Sequence, residues 1–255
     1  MQIKRGIQIA GAAILILGIV AYVVYAVIVA SYTPNTERCT AIELNIAENQ
    51  HAGFISNQSV ETELRNAGIY PVDRLMTDIS TRQIEDALSK DDFVEAVDCY
   101  KTANCHVVIN IVQRTPVIYV LPDGAHGYYV DMHGKAIPKT AYPVNMPVAT
   151  GRISEHYATT RLAQLGLFLF RDEFWNSQIE QIYVSTNADH EYVVDLVPRV
   201  GTHDIHLGPL RDFEKKLRRL RIFYEKAVPV VGWEKYSRIN LEYEGQIICE
   251  KQKNT

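Results

Sequence analysis

The strongest constraint in the sequence is a long apolar run near its beginning, from Ile7 to Ala30, which contains no charged residue. A helix that crosses the hydrocarbon layer of a membrane needs about 20 predominantly apolar residues. The run is long enough for this, and transmembrane helices tolerate glycines such as Gly11 and Gly18. We therefore predict a transmembrane helix over residues 7–30, which would hold everything after it against one face of a membrane.

Flanking charge predicts the orientation of this helix. Lys4 and Arg5 precede the run without a nearby acidic residue, whereas Glu37 and Arg38 offset each other beyond it. Because cytoplasmic flanks carry an excess of Lys and Arg, residues 1–6 are predicted to be a cytoplasmic tail and the large remainder to lie outside. The alternative is a cleaved secretory signal, whose apolar core usually has only about 7–15 residues. Either interpretation exports the rest of the chain.

Composition limits what the exported part can be. The chain has 255 residues, a net charge of −4 and a pI near 6.1. Beyond the anchor and a linker over residues 31–38 there is room for one domain of ordinary size or two small ones. The balance of charge gives no reason to expect a nucleic-acid partner.

The chain contains four cysteines, Cys39, Cys99, Cys105 and Cys249. A disulfide is permitted in an exported domain. Cys99 and Cys105 flank a short turn between two apolar runs, so a bond across a hairpin is one interpretation. Free buried thiols are the other, because pairing geometry cannot be read from sequence.

Residues 39–116 are predicted to form a small α+β unit. Alternating apolar residues predict a strand over Thr40–Ala47, and helical spacing follows over Ser56–Ala67. Ser80 with Gln83 three residues later is a capping box that predicts a second helix. Two further strands are predicted over Phe93–Tyr100 and Cys105–Gln113. The two helices would cover one face of a three-stranded sheet.

Residues 117–250 are predicted to form a mixed β domain with two helices, followed by a tail over residues 251–255. Ser154 is predicted to cap a helix that runs to about Phe170, and Pro209 to start a second one. The last strand is predicted over Ser237–Cys249, with one face buried. The remaining strands are predicted over Val117–Leu121, Tyr128–Asp131, Ala136–Ile137, Val148–Gly151, Gln178–Ser185, Tyr192–Val197 and His203–Leu207.

The helix after Pro209 carries basic residues on the side opposite its apolar stripe. Such a face is usually solvated, and recruitment of an acidic partner is the alternative. The residues concerned are Lys215, Lys216, Arg218, Arg219 and Arg221.

No motif predicts an enzyme, a cofactor or a metal site. His203 and His206 are three apart on a predicted strand, so their side chains would point to opposite faces and not share a metal ion. Asp123, Asp131 and His133 stand among glycines that are typical of turns. Zinc-protease, P-loop, dinucleotide-binding and serine-hydrolase motifs are all missing from the sequence.

Five short motifs, taken in order, resemble those of the FtsQ/DivIB family of bacterial cell-division proteins. They are Val112–Pro116 (VQRTP), Val130–Gly134 (VDMHG), Pro147–Gly151 (PVATG), His206–Gly208 (HLG) and Ile239–Tyr243 (INLEY). The order of elements is also similar to that family: a single spanning helix, a β-α-α-β-β unit of the POTRA (polypeptide-transport-associated) type and a β domain. The resemblance covers nearly the whole chain.

The resemblance implies a non-enzymatic scaffold of the divisome, anchored in the cytoplasmic membrane, that binds the FtsB/DivIC and FtsL division proteins outside it. A terminal strand with nothing after it to cover it would leave N–H and C=O groups open to β-augmentation by a partner strand. The residues that we predict to recognise the partner are Arg238, Asn240, Glu242, Tyr243 and Gln246.

This chain departs from the family at two positions of the last motif. Glu242 stands where the family usually has Arg, and Asn240 where it often has Asp. The alternative function is a module that handles exported proteins, because POTRA units also occur in outer-membrane assembly and secretion. In those proteins, however, the unit is repeated and precedes a large barrel. An anchored envelope hydrolase is disfavoured by the missing motifs.

Overall fold

A computed structural model describes residues 15–28, 37–47, 53–139 and 145–252 of the chain. Residues 15–28 form helix α1, and its side chains are exposed. The remainder of the predicted transmembrane run, residues 7–14 and 29–30, lies outside the described residues. Among the helices of the described ranges, none is both long enough and apolar enough to cross a bilayer.

The first unit is the three-stranded sheet that the sequence predicted, with two helices on one face. Its strands are β1 (Ala41–Ala47), β2 (Val94–Lys101) and β3 (His106–Gln113), in the order β1-β3-β2. β1 runs parallel to β3, and β2 runs antiparallel to it. The helices are α2 (Asn57–Asn66) and α3 (Thr81–Leu88). Leu64 and Ile84 from the helices share a buried core with Ile109 of β3.

Local hydrogen bonds at the helix starts explain why α2 and α3 begin where they do. The side chain of Ser80 accepts the backbone N–H of Gln83, which confirms the cap predicted for α3. At α2, Ser56 and Ser59 form a reciprocal capping box. Each cap satisfies backbone donors that the first turn of a helix leaves open.

The second unit is a nine-stranded mixed sheet in the order β12-β11-β10-β9-β8-β7-β4-β5-β6. Its strands are β4 (Pro116–Pro122), β5 (Tyr128–Asp131), β6 (Ala136–Pro138), β7 (Val148–Gly151), β8 (Ile179–Thr186), β9 (Tyr192–Pro198), β10 (Asp204–Gly208), β11 (Tyr236–Asn240) and β12 (Ile248–Lys251). Its helices are α4 (Glu155–Tyr157), α5 (Ala163–Arg171), α6 (Glu173–Gln178), α7 (Phe213–Lys226) and α8 (Val228–Val231). Buried residues of α5 and α7 form a continuous core with the sheet.

The helix predicted from Ser154 to Phe170 is interrupted. Ser154 caps it as predicted, but residues 158–162 form a π-helical turn between α4 and α5. The loop glycine of the VDMHG motif, Gly134, packs against this turn at φ +82°. A Cβ at Gly134 would lie 2.3 Å from the carbonyl oxygen of Thr159. The motif therefore needs glycine for close approach as well as for its backbone angle.

The predicted last strand, Ser237–Cys249, is wrong as a single element. It is a hairpin of β11 and β12, and Gly245 in the turn between them has φ +71°. β11 pairs with β10 on one side and with β12 on the other. The end of the sheet is therefore β12, and the strand that we predicted to be open is interior.

The cysteines of the described residues are free thiols. Cys99 is buried and lies opposite Ile109 of β3. Cys105 precedes β3, four residues before Ile109, so the hairpin does not bring Cys99 and Cys105 together. Burial raises the pKa of Cys99 to about 12. The Sγ atom of Cys105 contacts Oε2 of Glu37 at 3.4 Å instead.

The two units meet at Asp131, whose side chain is completely buried at the end of β5. Its Oδ2 atom accepts a hydrogen bond from Nη1 of Arg114, at 2.9 Å. Its Oδ1 atom accepts the backbone N–H groups of His133, at 2.9 Å, and Lys135, at 2.7 Å. A buried carboxylate requires such partners to compensate for lost hydration. One side chain thus fixes both the linker after β3 and the turn between β5 and β6 of the nine-stranded sheet.

An aromatic cluster reinforces this junction. Phe54 and Phe93 of the first unit stack with their ring centroids 4.9 Å apart. Phe54 also meets the edge of Tyr129 in β5 at 6.2 Å, and Tyr129 packs on Tyr119 in β4. Two ion pairs also cross the junction, His133–Glu95 and Lys135–Asp92. Because these pairs are exposed, the aromatic burial contributes more than they do.

Replacing Asp131 with Ala should destabilise the protein by about 3 kcal/mol, because Arg114 would keep a largely buried charge without its partner. The measurement is the free energy of unfolding from denaturant titration. Asp123→Ala, at an exposed position, is the control and should change it by less than about 0.5 kcal/mol. Equal effects of the two substitutions would contradict the role assigned to Asp131.

His203 is a buried side chain that directly precedes β10. Its Nε2 atom lies 2.6 Å from the hydroxyl oxygen of Tyr224, and its ring stacks on Trp233. Burial lowers the pKa of His203, and the nearby carboxylates of Asp204 and Glu234 act in the opposite sense. The neutral imidazole is therefore the form that the fold accommodates.

Stability should consequently fall in mild acid. With its folded-state pKa lowered, His203 takes up a proton more readily in the unfolded chain, so its contribution is complete above about pH 6.5 and is lost as the pH falls below that value. We expect the denaturation midpoint to decrease from pH 7.5 to pH 5 and to decrease less in His203→Gln. An identical pH dependence in the two proteins would exclude His203 as its source.

Candidate partner-binding site

The sheet ends at β12, and no strand among the described residues lies beyond it. The backbone N–H of Gln252 donates to the carbonyl of Lys235, on the side of β11. Since N–H and C=O groups alternate in direction along an antiparallel strand, both groups of Cys249 and the N–H of Lys251 point away from β11, whereas the carbonyl of Lys251 lies 3.5 Å from Oγ of Ser237 in β11. β12 therefore offers a short row of backbone donors and acceptors for another strand.

Two cations of α7 hold neighbouring backbone segments: Arg219 holds the turn that folds β12 back, and Lys216 holds the end of β10. Nη2 of Arg219 donates to the carbonyls of Leu241, at 3.0 Å, and Tyr243, at 3.1 Å. One turn earlier, Nζ of Lys216 donates to the carbonyls of Leu207, at 2.7 Å, and Pro209, at 3.1 Å. Burial lowers the pKa of Lys216, with the carboxylate of Glu242 acting against it. These two residues of the basic face are thus structural.

The remainder of the basic face is mixed. Arg221 pairs with Asp172 at 3.0 Å and lies over the ring of Phe174, so it fastens α7 to α6. Lys215 pairs with Asp212 at 3.0 Å. Arg218 is exposed, as a solvated face would require. The prediction of a solvated stripe therefore holds for only part of it.

The structure separates the predicted recognition residues into two groups. Arg238 and Asn240 lie on β11, where the backbone is paired on both sides. The guanidinium of Arg238 donates to Oδ1 of Asp195 at 3.0 Å. Oδ1 of Asn240 accepts the backbone N–H of Glu242 at 2.8 Å. These side chains stabilise the fold, and the interior position of β11 excludes strand addition there.

The other three predicted residues, Glu242, Tyr243 and Gln246, are exposed in the turn before β12. The side chain of Tyr243 is 55% exposed, and that of Ile248 at the start of β12 is 44% exposed. Large apolar side chains exposed next to an open edge are typical anchors of protein interfaces. The structure therefore concentrates the candidate site on β12 and its preceding turn.

A groove of about 560 Å³ lies between this turn and the start of α7. Its charged walls come from the loop before β9, from α7 and the segment before it, and from the turn, and they include Arg211, Lys215, Glu242 and Glu244. Within the described residues, no group of His, Cys, Asp or Glu side chains is arranged to hold a metal ion. The groove is a surface for polar and charged contacts.

His206 connects the turn to the sheet beneath it. Its Nδ1 atom lies 2.6 Å from Oδ1 of Asp195, and its Nε2 atom lies 3.5 Å from Oε2 of Glu242. The same Asp195 accepts the bond from Arg238, so four charged or ionisable groups of β9, β10, β11 and the turn form one network. This network orients the side chain of Glu242 at the mouth of the groove.

Comparison with known proteins identifies the fold. A family model described as FtsQ/DivIB, C-terminal related, matches residues 115–250, which is more than half of the chain. The chain belongs to the FtsQ/DivIB family. A POTRA-like domain model matches residues 37–112, the three-stranded unit. A curated relative, the cell division protein FtsQ of Rhodothermus marinus, is 23% identical over 206 residues, which cover 77% of this chain and 75% of that protein.

The sequence pattern of this FtsQ/DivIB protein does not separate β12 from β11. The signal was available in Gly245, which favours a turn, and in the apolar pair Ile247–Ile248 after it. The alternation of Ile239, Leu241 and Tyr243 obscures the end of β11, because the apolar pattern continues past Asn240, where the strand ends. Leu241 is buried in the turn although it lies beyond β11.

Replacing Arg219 with Met should loosen the turn, because the carbonyls of Leu241 and Tyr243 would lose their charged donor. We expect faster amide hydrogen exchange in residues 241–251, with the exchange of α2 and α3 unchanged. Arg218→Met is the matched control on the same helix and should leave the turn as it is. Unchanged exchange in Arg219→Met would mean that other contacts hold the turn.

Proposed function

We propose that this protein is a non-enzymatic, membrane-anchored scaffold of the bacterial divisome that binds the FtsB/DivIC and FtsL division proteins through its exported units. The observation that carries the proposal is the open edge of β12. A strand of a partner that pairs with Cys249 and Lys251 would gain backbone hydrogen bonds, and Tyr243 and Ile248 would supply apolar contacts beside it.

The length of β12 is compatible with such a role. Short edge strands resist uncontrolled pairing between copies, and charged residues on them add to that protection. β12 has four residues, of which Glu250 and Lys251 are charged and exposed. Its edge is therefore suited to a partner that brings its own side-chain contacts, and poorly suited to non-specific aggregation.

We further propose that residues 7–30 span the cytoplasmic membrane, with residues 1–6 in the cytoplasm and residues 39–116 and 117–250 as two exported units. The apolar run and its flanking charges support this topology. Such a tether raises the effective concentration of both units for other anchored proteins. The POTRA-like unit would then be a second docking surface close to the bilayer.

Replacing Lys251 with Pro tests the edge. Proline removes an outward N–H but leaves the side of β12 that faces β11 unaffected, so the fold should persist while affinity for a partner strand falls at least about tenfold. The measurement is binding of the full-length chain to the extracytoplasmic segment of the FtsB/DivIC protein from the same organism. Lys251→Ala is the matched control, because it removes the side chain and keeps the N–H.

Unchanged binding by a folded Lys251→Pro variant would refute strand addition at β12.

Depletion of the protein in cells distinguishes the scaffold from the alternative functions. Long undivided cells are the expected result. A loss of outer-membrane proteins would favour the handling of exported proteins, and altered muropeptides with purified protein would favour hydrolysis.

A further inference from the structure

We propose that the groove beside the β11–β12 turn accepts a Lys or Arg side chain of the partner, from the segment that flanks the strand added to β12. This inference rests on the proposed function and specifies the chemistry of the partner. It makes Glu242 and Glu244 the residues that determine specificity.

The groove is bordered by the turn that leads into β12. A partner strand that pairs with β12 and continues past Ile248 reaches the turn of residues 241–247, which forms one wall of the groove. The flanking segment of such a strand therefore meets Glu242, Glu244 and Gly245 directly after it leaves the sheet.

The cations of the groove already have partners within this chain. Arg211 pairs with Glu191, and Lys215 pairs with Asp212. Lys216 and Arg219 direct their donors to backbone carbonyls of the adjoining strands and turn. A negatively charged partner would compete with these internal acceptors for the cations of the groove.

The carboxylates of the turn have acceptor capacity to spare. The side chain of Glu242 is 38% exposed. Among the described residues, its close contact to an ionisable group is with His206, whose Nε2 atom lies 3.5 Å from Oε2 of Glu242. This distance is longer than that of an ordinary charged hydrogen bond. Glu244 is exposed on the same turn and lies near enough to Lys215 to raise the pKa of that residue, after the larger effect of Asp212. Two carboxylates with open lone pairs at the mouth match a donor group that carries positive charge.

Guanidinium and ammonium groups satisfy this requirement. A carboxylate binds guanidinium through two parallel hydrogen bonds, and it binds ammonium as a point charge. Charge complementarity next to a strand-addition site gives specificity and register, because the backbone hydrogen bonds of the added strand are similar for every sequence.

Charge reversal tests the inference. We expect Glu242→Lys and Glu244→Lys each to weaken binding of the same FtsB/DivIC segment about tenfold, mainly through slower association. The weakening should disappear at high salt, which screens exposed charges. Glu244→Lys is the safer variant, because Glu244 is exposed and Glu242 contacts His206. Glu180→Lys, at an exposed position of β8, is the control and should bind as the unmodified chain does.

The Lys and Arg residues of the partner's flanking segment can be replaced with Glu one at a time. The replacement of the residue that enters the groove should restore binding to Glu244→Lys. Tighter binding by Glu244→Lys would show an acidic occupant and overturn the inference. Unchanged binding by both reversals, together with loss of binding in Lys251→Pro, would overturn it while leaving strand addition intact. Unchanged binding in all three would remove the proposed function as well.

Discussion

The placement of the two units depends on one buried carboxylate. Asp131 accepts hydrogen bonds from the Arg114 guanidinium of the linker and from two backbone N–H groups of the turn between β5 and β6. No other side-chain chemistry supplies four acceptor sites in so small a volume, and a carboxylate without these donors would not remain buried. The V-D-x-x-G motif therefore connects the two units: Asp131 accepts the hydrogen bonds, and Gly134 permits contact with the π-helical turn.

The parts of the fold that depend on local chemistry could be predicted from the sequence. The alternation of β1, the cap of α3 and the apolar stripe of α7 are each decided within a few residues, and the structure contains them near their predicted bounds. Five weak motifs in the right order were sufficient to indicate the family, since order and spacing add information that no single motif has. Of the predicted recognition residues, Glu242, Tyr243 and Gln246 lie exposed in the turn before β12, whereas Arg238 and Asn240 lie on the interior strand β11.

The features that depend on distant contacts could not be predicted. The end of β11 is determined by Arg219, which lies more than twenty residues earlier and draws the carbonyls of the turn toward α7. The π-helical turn coincides with the approach of Gly134, and the burial of His203 results from α7 and Trp233 closing over it. In each case the local sequence pattern was compatible with a regular strand or helix, and packing between remote segments produced a different structure.

The strand order has a geometric consequence for any assembly built on this fold. The chain enters the large sheet at β4, directly after the POTRA-like unit. The last strand along the chain, β12, lies six strand positions away from β4 in the sheet. At about 4.8 Å between neighbouring strands, the far margin lies about 29 Å sideways from the point of entry. A polypeptide attached to the far margin of the sheet would therefore run on a path that is laterally offset from the POTRA-like unit.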